Sequence, residues 1–304
     1  MSITLAKLIT KEDFLRLSST DNRVALADLA KRLSLNIFLL WLMFQSAKYN
    51  YFLTLIVWYS YSTQFQFWGY TGLGHEALHG RVFSSRSANR LLFIVCSALT
   101  WNNGAMFTDS HAIHHRSAFS TEDSEANSET RWGFWYVVGY SLIDIPTFGR
   151  RIYYTLINSV GYYPNFSHLS SKYARAARFN LLVNLIIYPA LYFITQNLVV
   201  TALAVAAPFS CTLLSKILAK AQHHDLGKFS DQGPLKFSRT LKLPAWLSFL
   251  YANMNYHAEH HLAPVIPYYH LPDFHNLLAD KGLVHSQSLQ SFLRSTLRKR
   301  ELLS

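Results

Sequence analysis

Ten of the fourteen histidines in this chain fall in four tight clusters. The first is Gly74-His75-Glu76-Ala77-Leu78-His79-Gly80 and the second His111-Ala112-Ile113-His114-His115. A pair, His223-His224, follows, and the last cluster is His257-Ala258-Glu259-His260-His261. On a helix, residues at i, i+3 and i+4 share a face. His75 and His79 can therefore aim two imidazoles at one point, and each HxxHH cluster can aim three. Charged together, such imidazoles repel; buried together, they need partners. A metal relieves both problems. A tetrahedral zinc takes four ligands, so this many donors point to more than one ion or to an unusual one. Imidazole suits iron, copper and zinc alike, which leaves the metal open. The isolated histidines read differently: His270 and His275 as structural or supporting residues, His168 and His285 as surface residues.

Four apolar segments must position these clusters. They run from about Leu33 to Ala47, Tyr51 to Leu73, Phe179 to Thr195 and Leu198 to Leu218. A spanning helix needs about 20 apolar residues, and the first and third are short. Together they read as two hairpins, turning near Lys48–Asn50 and Gln196–Asn197. Gln64 and Gln66 suggest that the second segment faces protein. The expected fold is an all-α integral membrane protein with four spans and a cytoplasmic, histidine-rich helical cap. Residues 1–32 read as a cytoplasmic or interfacial segment and 33–304 as the membrane domain. Leu91–Met106 and Trp132–Phe148 are interrupted by polar residues and read as interfacial or re-entrant helices. Trp132, Trp135, Tyr136 and Tyr140 look like an interface belt.

Charge sets the orientation. The chain carries 28 Lys and Arg against 17 Asp and Glu, a formal net charge of +11. Six of the cations precede the first segment, ten lie between the second and third, and eleven follow from Lys216 onward. Only Lys48 lies in a hairpin turn. The positive-inside rule then puts both termini, the central region and all four clusters on the cytoplasmic side. A basic chain can attract nucleic acid or an anionic membrane. Here the cations flank apolar segments, which favours the membrane and no nucleic acid. Met1 to Leu17 has no uninterrupted apolar run, so no cleavable signal is expected, and it can form a short amphipathic helix. The basic tail from Arg294 to Arg300 suits anionic headgroups or solvent. Two cysteines, Cys96 and Cys211, exclude a disulfide framework or a Cys-based zinc site.

An HxxxH box and two HxxHH boxes interleaved with membrane hairpins resemble the membrane fatty acid desaturase/hydroxylase superfamily. The resemblance runs from about His75 to His275. The stretch Asn253-Met254-Asn255-Tyr256 before the third box, with Pro264, Pro267-Tyr268-Tyr269 and Leu271-Pro272 after it, is similar to the bacterial branch. Membership implies two iron ions and O2 as co-substrate in a bacterial inner membrane. The implied ligands are His75, His79, His111, His114, His115, His257, His260 and His261. One further histidine often precedes the third box in the family. His223 matches it best, with His224 as the alternative. Glu76, Asp109, Glu122, Asp123 and Glu259 are candidates to orient ligand rings. No side chain need act as a nucleophile.

The implied activity is hydrogen abstraction from an unactivated C–H bond of a fatty acyl or lipid-like chain, introducing a double bond. Hydroxylation or ketone formation on another lipid-like molecule is the alternative. The first box has three intervening residues, which speaks against an acyl-CoA substrate, and His257 stands where front-end desaturases carry Gln. No His-Pro-Gly-Gly haem signature occurs, so electrons must come from a separate ferredoxin or cytochrome with its reductase. Two rivals remain. His75-Glu76-x-x-His79 also spells the HExxH of an intramembrane zinc metalloprotease, which leaves the other clusters idle. A metal transporter would instead hold its ligands within the spans.

Overall fold

A computed structural model describes residues 8–125, 134–162, 171–226 and 233–301. Helices α1 (Lys11–Ser18), α2 (Asn22–Ser46) and α3 (Tyr51–Phe65) open the chain. Asp21 and Asn50 start α2 and α3 by accepting backbone N–H groups, so each helix begins where a short polar side chain can cap it. The two helices pack as a hairpin. A 3-10 turn at Gln66–Trp68 leads into the short α4 (Leu73–Leu78). Next come α5 (Arg86–Leu99), α6 (Gly104–Ser117), α7 (Phe134–Gly139) and α8 (Ile145–Ser159). A second packed pair follows, α9 (Ser171–Thr195) and α10 (Leu198–Ala206).

The last third consists of α11 (Leu213–His223), α12 (Pro234–Phe237), α13 (Ala245–Leu250), α14 (His257–Leu262), α15 (Leu271–Ala279) and α16 (Leu289–Glu301). Two three-residue strands, β1 (Thr240–Lys242) and β2 (Ser286–Ser288), pair in parallel with Thr240 opposite Ser286. The hairpins are cross-linked by polar groups inside apolar surroundings. Trp58 Nε1 donates to the Leu203 carbonyl at 2.8 Å, and Gln66 Nε2 to the carbonyls of Ala207 and Ser210, also at 2.8 Å. Gln66 thus faces protein, as its polarity suggested.

The four expected spans are not equivalent. Among the described residues, α9 alone is long and apolar enough to cross a bilayer. The helix pair α5 and α6 qualifies as a second only if taken as one element bent by 108°, the shape of a broken span or re-entrant loop. The others fall short for visible reasons. The helix α2 starts at Asn22 and carries Arg23, Asp28, Lys31 and Arg32 before its apolar part. Arg32 is buried, paired with Asp28 at 2.7 Å and donating to the Leu250 and Phe249 carbonyls. The second segment stops being α-helical at Phe65. The fourth is broken by a 3-10 turn around Pro208 and by Cys211 at φ 54°. Large apolar side chains nevertheless stand exposed along both hairpins, among them Ile37 and Phe52 on the first and Leu185 and Phe193 on the second. A surface of that kind calls for an apolar environment.

Candidate metal centre

Each histidine cluster is delivered by a tightly held local structure. Before the first, the chain doubles back on the 3-10 turn. A Cβ on Gly72 would lie 2.4 Å from the Phe67 carbonyl oxygen, and one on Gly74 2.9 Å from those of Trp68 and Gly69. Only glycine permits that approach, which fixes where the helix that carries His75 begins. The second cluster closes α6, whose start is capped by Asn103. His223 ends α11. Ahead of the last cluster, Ala252 and Asn253 adopt successive left-handed conformations, φ 51° and 53°. Such a conformation is unfavourable for side-chain-bearing residues. It is held there by Asn253 Nδ2 donating to the Tyr268 carbonyl at 2.9 Å. Asn255 pairs in both directions with the backbone of Leu241, anchoring α14 to β1.

Nine imidazoles then converge in two groups. His75, His79, His111, His115 and His260 form one; His114, His223, His257 and His261 form the other. Within each group, the ring nitrogens that could ligate all lie within 4.8 Å of one another. The three-residue aim expected of each HxxHH cluster is corrected here, because both are shared between groups. His111 and His115 enter the first group while His114 enters the second; His257 and His261 enter the second while His260 enters the first. The i and i+4 residues stay together, and the i+3 residue departs. Residues i+3 and i+4 differ by about 100° around a helix of 3.6 residues per turn. That difference lets one short helix feed two centres.

Acceptors behind three of the rings fix their tautomers. Nδ1 of His111 lies 3.0 Å from Glu125 Oε2, and Nδ1 of His114 lies 3.0 Å from Asp123 Oδ2. His223 Nδ1 donates to the Phe237 carbonyl at 3.0 Å. With the proton on Nδ1, the Nε2 atom presents a bare lone pair. His111 Nε2 faces Nε2 of His75 at 2.9 Å and of His79 at 3.1 Å. His257 Nε2 faces Nε2 of His223 at 2.9 Å and of His261 at 3.0 Å. His260 Nε2 lies 3.3 Å from His115 Nε2. Where both facing Nε2 atoms are bare their lone pairs repel, and a cation between them turns the repulsion into ligation. The donor set therefore fits metal ions.

Burial first, and then mutual repulsion, pushes the imidazoles well below the ordinary histidine range at His79, His111, His257, His260 and His261. The same causes take His115 down to about 2, and burial with the neighbouring His114 takes His223 to about 3. Neutral rings are what a metal requires. Glu76 is also buried, and desolvation raises its carboxyl above the usual range. Its Oε1 sits 3.3 Å from His75 Nδ1 and 3.4 Å from His260 Nδ1, in neither case with hydrogen-bond geometry. Glu76 thus stands behind the rings, away from the converging Nε2 atoms.

Of the other acids singled out in the sequence, Asp123 backs His114. Glu259 instead bonds Thr240 Oγ1 at 2.5 Å and His275 Nδ1 at 2.6 Å, so His275 is a supporting residue. Asp109 pairs with Lys172 and the Tyr173 hydroxyl, and Glu122 is exposed. Glu125 is not among the acids that the sequence singles out. It belongs to the same acidic stretch as Glu122 and Asp123, but 14 residues of chain separate it from His111. His224 lies outside both groups, 3.6 Å from Asp225. His270 approaches Asp273 only at 4.0 Å, and His285 is exposed. His168 and Trp132 fall outside the described residues. Tyr136 and Tyr140 pack together with ring centroids 5.1 Å apart, and Lys216 lies over the Tyr136 ring. A small cavity of about 40 Å³ touches both groups, walled by Tyr70, Thr71, His75, His111, His223 and His257.

A comparison with curated proteins finds no match. The family model described as fatty acid desaturase matches residues 49–291, a stretch that takes in all four histidine clusters. The chain belongs to the fatty acid desaturase family.

Proposed function

We propose that the nine imidazoles hold two iron ions and that the protein is an O2-dependent oxidoreductase acting on the acyl chain of a lipid. One observation carries this reading: histidines from four separate stretches of chain meet as two adjacent groups of five and four donors. Iron bound there would supply the oxidising power, drawn from O2 and externally delivered electrons, that breaks an unactivated C–H bond. The protein's part is positioning and exclusion. Glu125, Asp123 and the Phe237 carbonyl keep protons on Nδ1 and turn Nε2 inward. Burial of seven of the nine rings limits access of water, and burial keeps the rings neutral.

Desaturation is the outcome we favour for an acyl chain. Hydroxylation or ketone formation begins with the same hydrogen abstraction and differs only in where the chain is held afterwards. The exposed apolar faces of both hairpins and the distribution of Lys and Arg support a multi-pass membrane protein with its histidine centre and termini in the cytoplasm. A separate ferredoxin or cytochrome with its reductase would deliver electrons. The protease reading loses support from Glu76, because a general base must face the metal and Glu76 lies on the Nδ1 side of its rings. Expression in a host of defined lipid composition, with mass spectrometry of its lipids, tests the proposal. Lipids lacking two hydrogens or gaining one oxygen are expected. An unchanged profile in iron-loaded, electron-supplied cells speaks against it.

A further inference from the structure

A cleft of about 680 Å³ lies beside the histidine centre, between α4, α5, α6 and α9. Its volume falls among those of small-molecule sites, about 300–1,000 Å³. Two of its walls share one pattern. On α5, Arg86 and Arg90 come first and Phe93 and Ile94 follow; on α9, Arg175 comes first and Phe179 follows. The two helices are tied together at the apolar end, where Asn180 Nδ2 donates to the Asn102 carbonyl at 2.7 Å and Asn184 Nδ2 to that of Ala98 at 2.9 Å. The cleft is therefore cationic at one end and apolar at the other.

The cations are available. Lys172, also on the rim, is taken by Asp109 at 2.6 Å. Arg86, Arg90 and Arg175 are exposed and make no ion pair among the described residues. The level of the rim follows from α9. Its first two turns carry Lys172, Arg175 and Arg178, and no charge follows from Phe179 to Thr195. In a helix long enough to cross a bilayer, that boundary marks the step from headgroups to hydrocarbon. A ligand of this cleft has its anionic part at headgroup level and its apolar part at chain level. The inner wall includes Ala77 and Leu78, which lie between His75 and His79.

We propose that the cleft binds an anionic membrane phospholipid, with its phosphate at Arg86, Arg90 and Arg175 and one acyl chain along Phe93, Ile94 and Phe179. The inference deepens the catalytic reading, since it names the lipid class held beside the histidine centre, but the binding itself needs no metal. The full chain is placed in phosphatidylcholine nanodiscs with a trace of phosphatidylglycerol carrying a photoactivatable diazirine in mid-chain. The labelled peptides are mapped by mass spectrometry. Phosphatidylglycerol should label the segments 86–105 and 172–180 at least about fivefold more than phosphatidylcholine with the same diazirine, since each cation near an anionic lipid adds roughly another fivefold. The triple variant Arg86→Gln, Arg90→Gln, Arg175→Gln should bring the label down to the phosphatidylcholine level. Ile94→Trp should lower it with the arginines intact, and decides the matter if the triple variant does not fold. Equal labelling by both probes, labelling that survives the triple variant, or loss of label to added acyl-coenzyme A would overturn the proposal. A chain that labels as expected but oxidises no lipid sinks the catalytic reading alone. A chain that oxidises lipid but labels elsewhere sinks this inference alone.

Discussion

The two histidine groups are not copies of one another. In the group of four, His114, His223, His257 and His261 are all buried, and two are backed by Asp123 and a main-chain carbonyl. The group of five has two partly exposed members, His79 and His115, and draws on Glu125 and Glu76 behind its rings. One centre is closed; the other has an accessible side. Both depend on the same two short helices, so neither group can shift without the other.

The largest effects should come from removing one donor from each group. His261→Ala should abolish turnover and strip iron, lowering apparent iron affinity by more than the roughly 10–100-fold typical of losing an outer partner. His79→Ala should cost as much activity but retain more iron, because four donors remain in its group and the closed group is untouched. Metal analysis beside turnover checks this. Equal iron loss in both variants would erase the distinction. Next come the acids behind the rings. Asp123→Asn, at a fully buried position, should weaken iron retention by about 10–100-fold, and Glu125→Gln, which is more accessible, by less. Chelator titration of the two variants ranks them.

Acid should act through the same rings. An unfolded histidine takes up its proton near pH 6.5, whereas His115 and His223 in the fold resist until about 2 and about 3. Between those values the unfolded chain binds more protons. The stability contributed by the neutral rings is therefore complete above about pH 6.5 and is lost as pH falls below it. Thermal melts of the metal-free protein from pH 8 to pH 5 should show a falling Tm, and a flat profile would contradict the burial assigned to the rings. The smallest effect is expected at His224→Ala, with turnover within about twofold of wild type, since its ring lies outside both donor groups. A large loss would mean that His224, not His223, points inward.

How much of this was legible beforehand depended on range. The spacing of His75 with His79, and of both HxxHH clusters, is local, and helical geometry is enough to propose them as donors. His223 over His224 followed only from the family pattern; the structure separates them because α11 ends at His223. The division of each HxxHH cluster between two groups was not legible, because a shared face looks like a shared target until a second centre is known to exist. Glu125 was hidden for the same reason: a loop residue 14 positions from its partner leaves no periodic signal. The helical hairpins and their turns near Asn50 and Asn197 are readable; the caps those two residues provide emerge only in the structure. Span lengths were not, because a 3-10 turn at Gln66–Trp68 and another around Pro208 interrupt stretches that composition alone runs together.

The proposed function rests on two irons in these two groups. Its most direct test is metal analysis of the full chain, purified without oxygen from cells supplied with both iron and zinc. Close to two irons per chain, falling together with activity in His261→Ala, is the predicted result. A single zinc with no iron, unchanged when His114, His223, His257 and His261 are replaced, would contradict it.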